Sequence, residues 1–359
     1  MEPGQNLSYD GKKCYLSCML SLALPVLYTM LQIFTFLFIG FLLRRYGWFS
    51  QEFFTALGRF VVRIALPSFF FVRMSQADIA ALQRSLRFPL LAIAVCAVGV
   101  LSGWIVFSIF RFPTQDRKAG IALSGFGNAS YLPLSVIELM PLSLPLIAEL
   151  FDTDLSLFYV GAFVFVFSPL LWSFGMVFIS GGSGRDLLRG LISPPMIGIA
   201  AGLLAAVSGL GPILSTPGNP LAAVYPAFER IGAVTVPIIL IVLGSMAGGL
   251  HLHRENIGVL LGLSTAVSLT RFVILPTLFL LLAPLFQAAA WSPTELWVVF
   301  LQFTTPPATN LSVMASHAGI NQEHTAFTLL ITYLIYLFVF PVYLMLFLQR
   351  LQLLPAAGL

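Results

Sequence analysis

The chain has 359 residues, of which 58% are hydrophobic and only 9% charged, and its formal net charge is +4. Soluble domains carry roughly 25% charged residues, so this composition excludes a water-soluble fold and predicts an integral membrane protein. The positive charge is scattered over short loops and does not call for a nucleic-acid partner.

Ten stretches of the chain are long and apolar enough to cross a membrane as helices, which takes about 20 residues. They are residues 24–43, 53–74, 90–110, 118–140, 157–179, 194–210, 231–250, 257–285, 294–318 and 325–348. Their length and their Leu and Phe content favour helices over the short alternating strands of a membrane β-barrel. We therefore expect an all-α, polytopic membrane protein with both termini on one side.

The first of these stretches is interpreted as a span rather than a cleaved signal peptide. It follows Lys12 and Lys13, and the apolar run continues to Leu43 without a small-residue cleavage site. Residues 1–23 are therefore an N-terminal segment, and residues 350–359 are a C-terminal tail.

Prolines within the spans indicate an internal repeat. Four pairs recur at nearly one offset: Pro25 with Pro195 and Pro67 with Pro237 at 170 residues, Pro133 with Pro306 at 173, and Pro169 with Pro341 at 172. We predict two five-helix repeats, 24–179 and 194–349, joined by a short linker at 180–193. Five is an odd number of spans, so the halves must be inverted relative to each other. This plan is typical of secondary transporters.

The predicted fourth and ninth spans are interrupted by the sequences SGFGNASYLPLS (124–135) and TTPPATN (304–310). Proline breaks a helix interior, and carbonyls freed in hydrocarbon must find other partners. Each span should therefore be two half-helices with an extended joint that faces protein or a cavity. The alternative is a pair of ordinary proline kinks, in which Asn128 and Asn310 cap the broken ends and bind nothing.

The half-helix starts are predicted to form an anion site. Pro306 suits the first helical position with Thr305 as cap, and Pro133 has the same part after Ser130 and Asn128. Helix N-termini carry partial positive charge and free amides, so two converging starts would hold a carboxylate. The predicted substrate-binding residues are Asn128, Ser130, Tyr131, Pro133, Thr305, Pro306, Pro307, Thr309 and Asn310.

Charged residues inside the spans are candidates for function because burying them is costly. We take Arg63, Glu138 and Arg271 as candidate charge partners of the anion or of a coupled cation. We find no histidine, cysteine or carboxylate pattern with metal-ligand spacing and no nucleotide-binding motif, so no metal or cofactor is expected.

The two interruptions, GFGNASYLPL (125–134) and TTPPATNLSVMASHAG (304–319), resemble those of the auxin efflux carrier family, within the bile acid–arsenite–riboflavin transporter superfamily. IALPSFFF (64–71), ISPPMIGIAAGL (192–203) and VPIILIVLGSMAGG (236–249) support the resemblance. It implies ten spans as two inverted five-helix bundles, with spans four and nine crossing at their prolines and an organic anion bound beside the crossing. It nominates Asn128 with Pro133, and Asn310 with Pro306 and Pro307.

The resemblance has one departure. The plant exporters' long hydrophilic insert between the halves is replaced here by about a dozen residues, so regulation through such an insert is excluded. Auxin itself is not assumed as the substrate, because members of the family are also proposed to carry malonate and other small carboxylates.

The function expected from these features is secondary transport of a small organic anion by alternating access, and not catalysis. Two alternatives stay open: a sodium-coupled carrier like the bile acid symporters, and a membrane sensor that binds a ligand without moving it. The partners are the anion and the bilayer, and a homodimer is one assembly open to the chain. We expect the plasma membrane, and eight basic residues against seven favour non-cytoplasmic termini.

Overall fold

The computed structural model describes residues 5–110, 112–180, 192–216, 218–249, 257–318 and 322–352. Within these ranges the chain is helical, with turns and short irregular joints and no β-strand. The all-α polytopic prediction is therefore confirmed in its coarse form. The predicted linker at 180–193 lies almost wholly outside the described residues.

Among the described residues, seven helices are long and apolar enough to cross a membrane. They are α1 (Leu24–Arg45), α2 (Gln51–Ser75), α3 (Ala80–Ile109), α5 (Thr153–Ile179), α7 (Ala222–Gly248), α8 (Ile257–Ala288) and α10 (Glu323–Arg350). The predicted sixth span is a 14-residue helix, α6 (Pro194–Val207). The predicted fourth and ninth spans are each divided, into α4a (Thr114–Gly125) and α4b (Tyr131–Ser143), and into α9a (Pro293–Thr304) and α9b (Asn310–Ala318).

The helices pack in two sets of neighbours. In the first, α1 lies along α7 and α2 lies along α6. Small residues allow this close approach, as they often do between membrane helices. A Cβ atom on Gly244 would lie 1.7 Å from the carbonyl oxygen of Leu37, and one on Gly198 would lie 2.2 Å from that of Pro67.

The second set contains the interrupted helices. Here α3 packs on α4a and α5, while α8 packs on α9a and α10. The half-helices α4b and α9b also touch neighbours, with α4b against α1 and α9b against α5 and α10. Both interruptions are therefore enclosed by other helices, a setting in which a broken backbone is tolerated at membrane depth.

Three of the uninterrupted spans contain a π-helical turn next to a proline. The turns are Val61–Ala65, Leu171–Gly175 and Thr270–Ile274. In the first and third turns, Pro67 and Pro276 follow the turn and have no amide hydrogen, so a carbonyl one turn earlier loses its partner and the backbone locally widens. Pro169 precedes the second turn, so this explanation does not apply there. The third turn carries Arg271 and points it at the two interruptions.

Candidate functional site

The two interruptions pair with each other through the backbone. Gly127 and Pro307 form an isolated antiparallel bridge. The amide of Asn128 donates to the carbonyl of Pro306 at 2.8 Å, and the amide of Ala308 donates to the carbonyl of Phe126 at 2.8 Å. The broken segments of two helices, far apart in sequence, thus satisfy each other's polar groups inside the apolar interior.

The remaining carbonyls of the joints are satisfied by side chains from neighbouring helices. Gln302 Nε2, on α9a, donates to the carbonyl of Ala129 at 3.1 Å. The hydroxyl of Tyr333, on α10, donates to the carbonyl of Pro307 at 3.4 Å. These bonds offset the several kcal/mol that an orphaned backbone carbonyl would cost in hydrocarbon.

The predicted positions of Pro133 and Pro306 at the first residue of a half-helix are wrong. The half-helix α4b begins at Tyr131, so Pro133 is its third residue. Helix α9a ends at Thr304 and α9b begins only at Asn310, so Pro306 lies within the joint. For Pro306 the reason is steric, because Pro307 follows it and a residue followed by proline disfavours the helical region. The amide of Ala308 donates to the carbonyl of Phe126 in the other interruption, so α9b begins only at Asn310.

The two interruptions nevertheless correspond to each other in length. The ends of α4a and α9a, Gly125 and Thr304, are 179 residues apart, and so are the starts of α4b and α9b, Tyr131 and Asn310. The offset of 173 between Pro133 and Pro306 therefore does not identify equivalent positions. By the structure, Asn310 is the counterpart of Tyr131.

Asn128 caps the second half of the fourth span. Its Oδ1 accepts from the amides of Tyr131 at 2.9 Å and Leu132 at 3.4 Å, and its Nδ2 donates to the Tyr333 hydroxyl at 2.5 Å. Only 2% of the residue is exposed. The alternative stated above, that Asn128 caps a broken helix end, therefore describes the hydrogen bonds that its side chain makes.

The exposed positions of the two joints lie at the half-helix starts. Residues 121–129 and 301–309 are all buried, whereas Ser130 and Asn310 are partly exposed. The side chain of Asn310 lies beside the hydroxyl of Tyr131. Ser130 and Asn310 are therefore the part of the crossing that an arriving solute could touch first, and Tyr131, which is 4% exposed, lies beside Asn310. Thr309 lies next to them and is mostly buried.

Arg271 is fully buried and lies against both joints. Its Nε donates to the carbonyl of Thr305 at 2.9 Å, and its Nη1 donates to that of Ser124 at 3.4 Å. Nη2 contacts both the carbonyl of Thr305, at 2.5 Å, and its hydroxyl, at 3.1 Å. A Cβ atom on Gly127 would lie 2.0 Å from Nη2, so the glycine provides the room for the guanidinium.

The other two candidate charge partners lie elsewhere. Arg63 is exposed in the π-helical turn of α2, and Glu138 is half-buried on α4b near Arg73. Arg73 itself pairs with Asp154. In the described part of the chain, neither Arg63 nor Glu138 makes a hydrogen bond to the interruptions.

A cavity of about 330 Å³ adjoins the crossing. Its walls come from α1, α7 and α10 and from Thr309 of the ninth-span joint, and include Phe34, Phe41, Leu243 and Leu329. Thr309 and Tyr333 supply its polar side chains, at the end next to the joints. The arrangement offers polar groups at one end and an apolar chamber beside them. Across the residues that the structure describes, no group of three or more His, Cys, Asp or Glu side chains could hold a metal.

Sequence reasoning missed three residues of this region: Gln302, Tyr333 and Ser124. Gln302 had a signal, because it is a lone amide in the apolar run ELWVVFLQF just before an interruption. Tyr333 had none, since α10 also carries Tyr336 and Tyr343 and nothing local distinguishes them. Ser124 contributes its backbone carbonyl, which its side-chain identity cannot reveal.

The chain is similar in sequence to known membrane transport proteins. The family model described as "Membrane transport protein" matches residues 25–185 and 183–344. The protein PIN-LIKES 7 of Arabidopsis thaliana is 28% identical over 156 residues, which cover 42% of this chain and 38% of the relative. PIN-LIKES 5 of the same plant is 27% identical over 194 residues, or 50% and 44% of the two chains.

An archaeal relative matches over a greater length. The "Uncharacterized transporter" of Methanothermobacter thermautotrophicus is 24% identical over 294 residues, covering 80% of this chain and 87% of the relative. By contrast, the chain spans less than half the length of the two plant relatives that it matches.

Proposed function

The chain belongs to the membrane transport protein family that contains the auxin efflux carriers, and from that premise we propose that it carries a small organic anion across the membrane by alternating access. It is an integral, multi-pass membrane protein of a transporter family. The proposal concerns the class of solute, where it binds and how it is moved.

One observation carries the proposal: the pairing of the two interruptions through the Gly127–Pro307 bridge. It brings the starts of α4b and α9b together inside the protein. Each start supplies the partial positive charge of a helix N-terminus, which favours a carboxylate without a lysine or arginine in contact with it. The amides of Tyr131 and Leu132 already donate to Asn128, so we assign the direct contacts to side chains. Broken helices with this arrangement are the usual binding sites of secondary transporters.

Within the proposed site, the partly exposed Ser130 and Asn310 and the buried Tyr131 beside them contact the anion. We assign the carboxylate contacts to Ser130, Tyr131 and Asn310, with Thr309 at the edge of the adjoining cavity. Asn128 acts one step away, because its capping bonds hold the start of α4b in place.

The prolines and Thr305 have supporting parts in this proposal. Pro133 stiffens the first turn of α4b, since its φ is fixed. Pro306 and Pro307 keep the ninth-span joint extended, so that its carbonyls meet the other joint. Thr305 turns its carbonyl and hydroxyl towards Arg271 and away from the half-helix starts.

The cavity suggests where the rest of the solute lies. Its apolar walls begin at Thr309 and Tyr333, directly beside the proposed carboxylate contacts. A carboxylate with an apolar body would place its charge at the half-helix starts and its body in the chamber. We therefore expect indole-3-acetate to bind more tightly than malonate, which has no apolar part.

Helix packing supports the inverted repeat that alternating access would use. If α1 to α5 are equivalent to α6 to α10 in the same order, then α1 corresponds to α6 and α2 to α7. The contact of α1 with α7 then has the contact of α6 with α2 as its counterpart, and both contacts are present. Likewise α3–α5 becomes α8–α10, and α3–α4a becomes α8–α9a. We propose ten spans as two inverted repeats, 24–179 and 194–349, in which the set containing the joints rocks against the set formed by α1, α2, α6 and α7.

The decisive experiment combines binding with flux. Purified protein is screened for thermal stabilisation by carboxylates, since a ligand bound to the native state raises its melting temperature. Any stabilising carboxylate is then tested for uptake into proteoliposomes. Saturable uptake supports the proposal, whereas stabilisation without flux would show a ligand-binding sensor instead.

We also propose residence in the plasma membrane with both termini outside the cytoplasm. The support is the distribution of basic residues over the predicted loops, eight against seven. Labelling of single cysteines placed near either terminus, from outside intact cells, tests the orientation.

A further inference from the structure

We propose that Arg271 is a built-in counter-cation: it fills the place behind the crossing where a coupling cation would otherwise bind, so that the carrier works without sodium. The consequence for transport rests on the proposed function. The cation-binding part does not, because it concerns only Arg271 and the groups around it.

The groups around the guanidinium form an oxygen-lined site. They are the carbonyls of Thr305 and Ser124 and the hydroxyl of Thr305. Carbonyls of unwound segments and of half-helix C-terminal ends are the groups that coordinate sodium in carriers with broken helices. Here the guanidinium donates hydrogen bonds to all three.

The charge balance fits one monovalent cation. Ser124 is in the last turn of α4a, and Thr305 directly follows the end of α9a. Each helix C-terminus carries roughly half a negative charge, so the two ends together match the single positive charge of an arginine. No ion pair joins Arg271 to a carboxylate in the described ranges of the chain.

Two further features show that the site is built around this side chain. Gly127 leaves the space that Nη2 occupies, because a Cβ atom there would overlap it. The Ser124 hydroxyl, in the residue whose carbonyl accepts from Nη1, is buried without a hydrogen-bond partner. If the Arg271 side chain were removed, a small cation entering its place would therefore find oxygen ligands already positioned.

The test compares cation dependence in wild type, Arg271→Ala, Arg271→Gln and Arg271→Lys. Melting temperatures of the full-length purified proteins are measured without substrate in chloride salts of sodium, potassium and choline, and in choline chloride with millimolar guanidinium. The melting temperature of wild type should be the same in all four solutions, and so should that of Arg271→Lys. The two neutral variants should have lower melting temperatures than wild type in choline chloride. Adding guanidinium or sodium should raise these melting temperatures to a saturating value.

Arg59→Ala is the matched control. It removes an exposed arginine from α2 and should show no dependence on the cation. Sodium-dependent stability in wild type would overturn the proposal. So would neutral variants that are equally unstable in every salt, or that cannot be recovered even with guanidinium, because a purely structural arginine predicts that result.

A transport measurement then separates this inference from the proposed function. Flux of wild type should be unchanged when choline replaces sodium, and flux of Arg271→Ala should depend on the added cation. If no carboxylate is transported at all, the proposed function fails while the melting experiment still decides the role of Arg271.

Discussion

Asn128 and Tyr333, which are 205 residues apart in the chain, are joined by a hydrogen bond of 2.5 Å from Asn128 Nδ2 to the tyrosine hydroxyl. The same hydroxyl also donates to the carbonyl of Pro307. Tyr333 therefore ties α10 to both interruptions at once. It also lines the apolar cavity, so it links the support of the joints to the proposed binding space.

Removing this hydroxyl should weaken the crossing. We expect Tyr333→Phe to lower the free energy of unfolding by about 1–3 kcal/mol, because the buried Asn128 amide and Pro307 carbonyl lose a partner. Thermal melting of the purified variant measures the change. Tyr343→Phe, on the same helix and half-buried, is the control and should have little effect. Equal effects of the two variants would show that Tyr333 has no special part.

The two asparagines of the interruptions should differ in what they do. We expect Asn310→Ala to abolish carboxylate uptake with little change in melting temperature, because its side chain is partly exposed at the half-helix start. Asn128→Ala should abolish uptake too, and should also destabilise the protein by about 1 kcal/mol through loss of its cap.

Uptake into proteoliposomes and thermal melting measure these effects in parallel. Thr35→Ala removes an exposed hydroxyl of α1 that bonds only within its own helix, and should leave both unchanged. Normal uptake in both asparagine variants would remove the proposed site.

Gly127 should not tolerate a side chain. A methyl group there would lie 2.0 Å from Arg271 Nη2, so we expect Gly127→Ala to destabilise the protein by about 1–3 kcal/mol through overpacking. Gly258→Ala is the matched control, since nothing lies within 4 Å of its Cβ position. The melting temperatures of the two variants are measured in parallel. A Gly127→Ala variant as stable as wild type would contradict the predicted clash with Arg271.

Filling the cavity should discriminate between substrates. Ala326 lines the chamber, and we expect Ala326→Phe to weaken binding of indole-3-acetate by at least about tenfold while malonate is little affected. The reason is that only the first ligand has an apolar body that needs the space. Ala94→Phe adds the same ring on the exposed side of α3 and serves as control. Titrations followed by thermal shift give both affinities, and equal losses for both ligands would place the apolar body elsewhere.

Much of the fold could be predicted from local chemistry. A low charge content and long apolar stretches predict membrane helices, and in the part of the chain that the structure describes seven helices are long and apolar enough to be uninterrupted spans. The breaks were predictable because proline and glycine act on their own turn of helix. Their exact bounds were not, since α9b begins at Asn310 only after Ala308 has bonded to the other joint.

The sequence by itself determined that the chain lies in a lipid bilayer and where two of its helices break. Both follow from the chemistry of neighbouring residues. Only the tertiary structure decided which groups satisfy the broken ends. Arg271 reaches the carbonyls of Thr305 and Ser124, which are 34 and 147 residues away, and turns from a candidate for the anion into a cap for two helix ends. Hydrocarbon solvates no free carbonyl, so each must be met by whatever the packing of distant helices brings within reach.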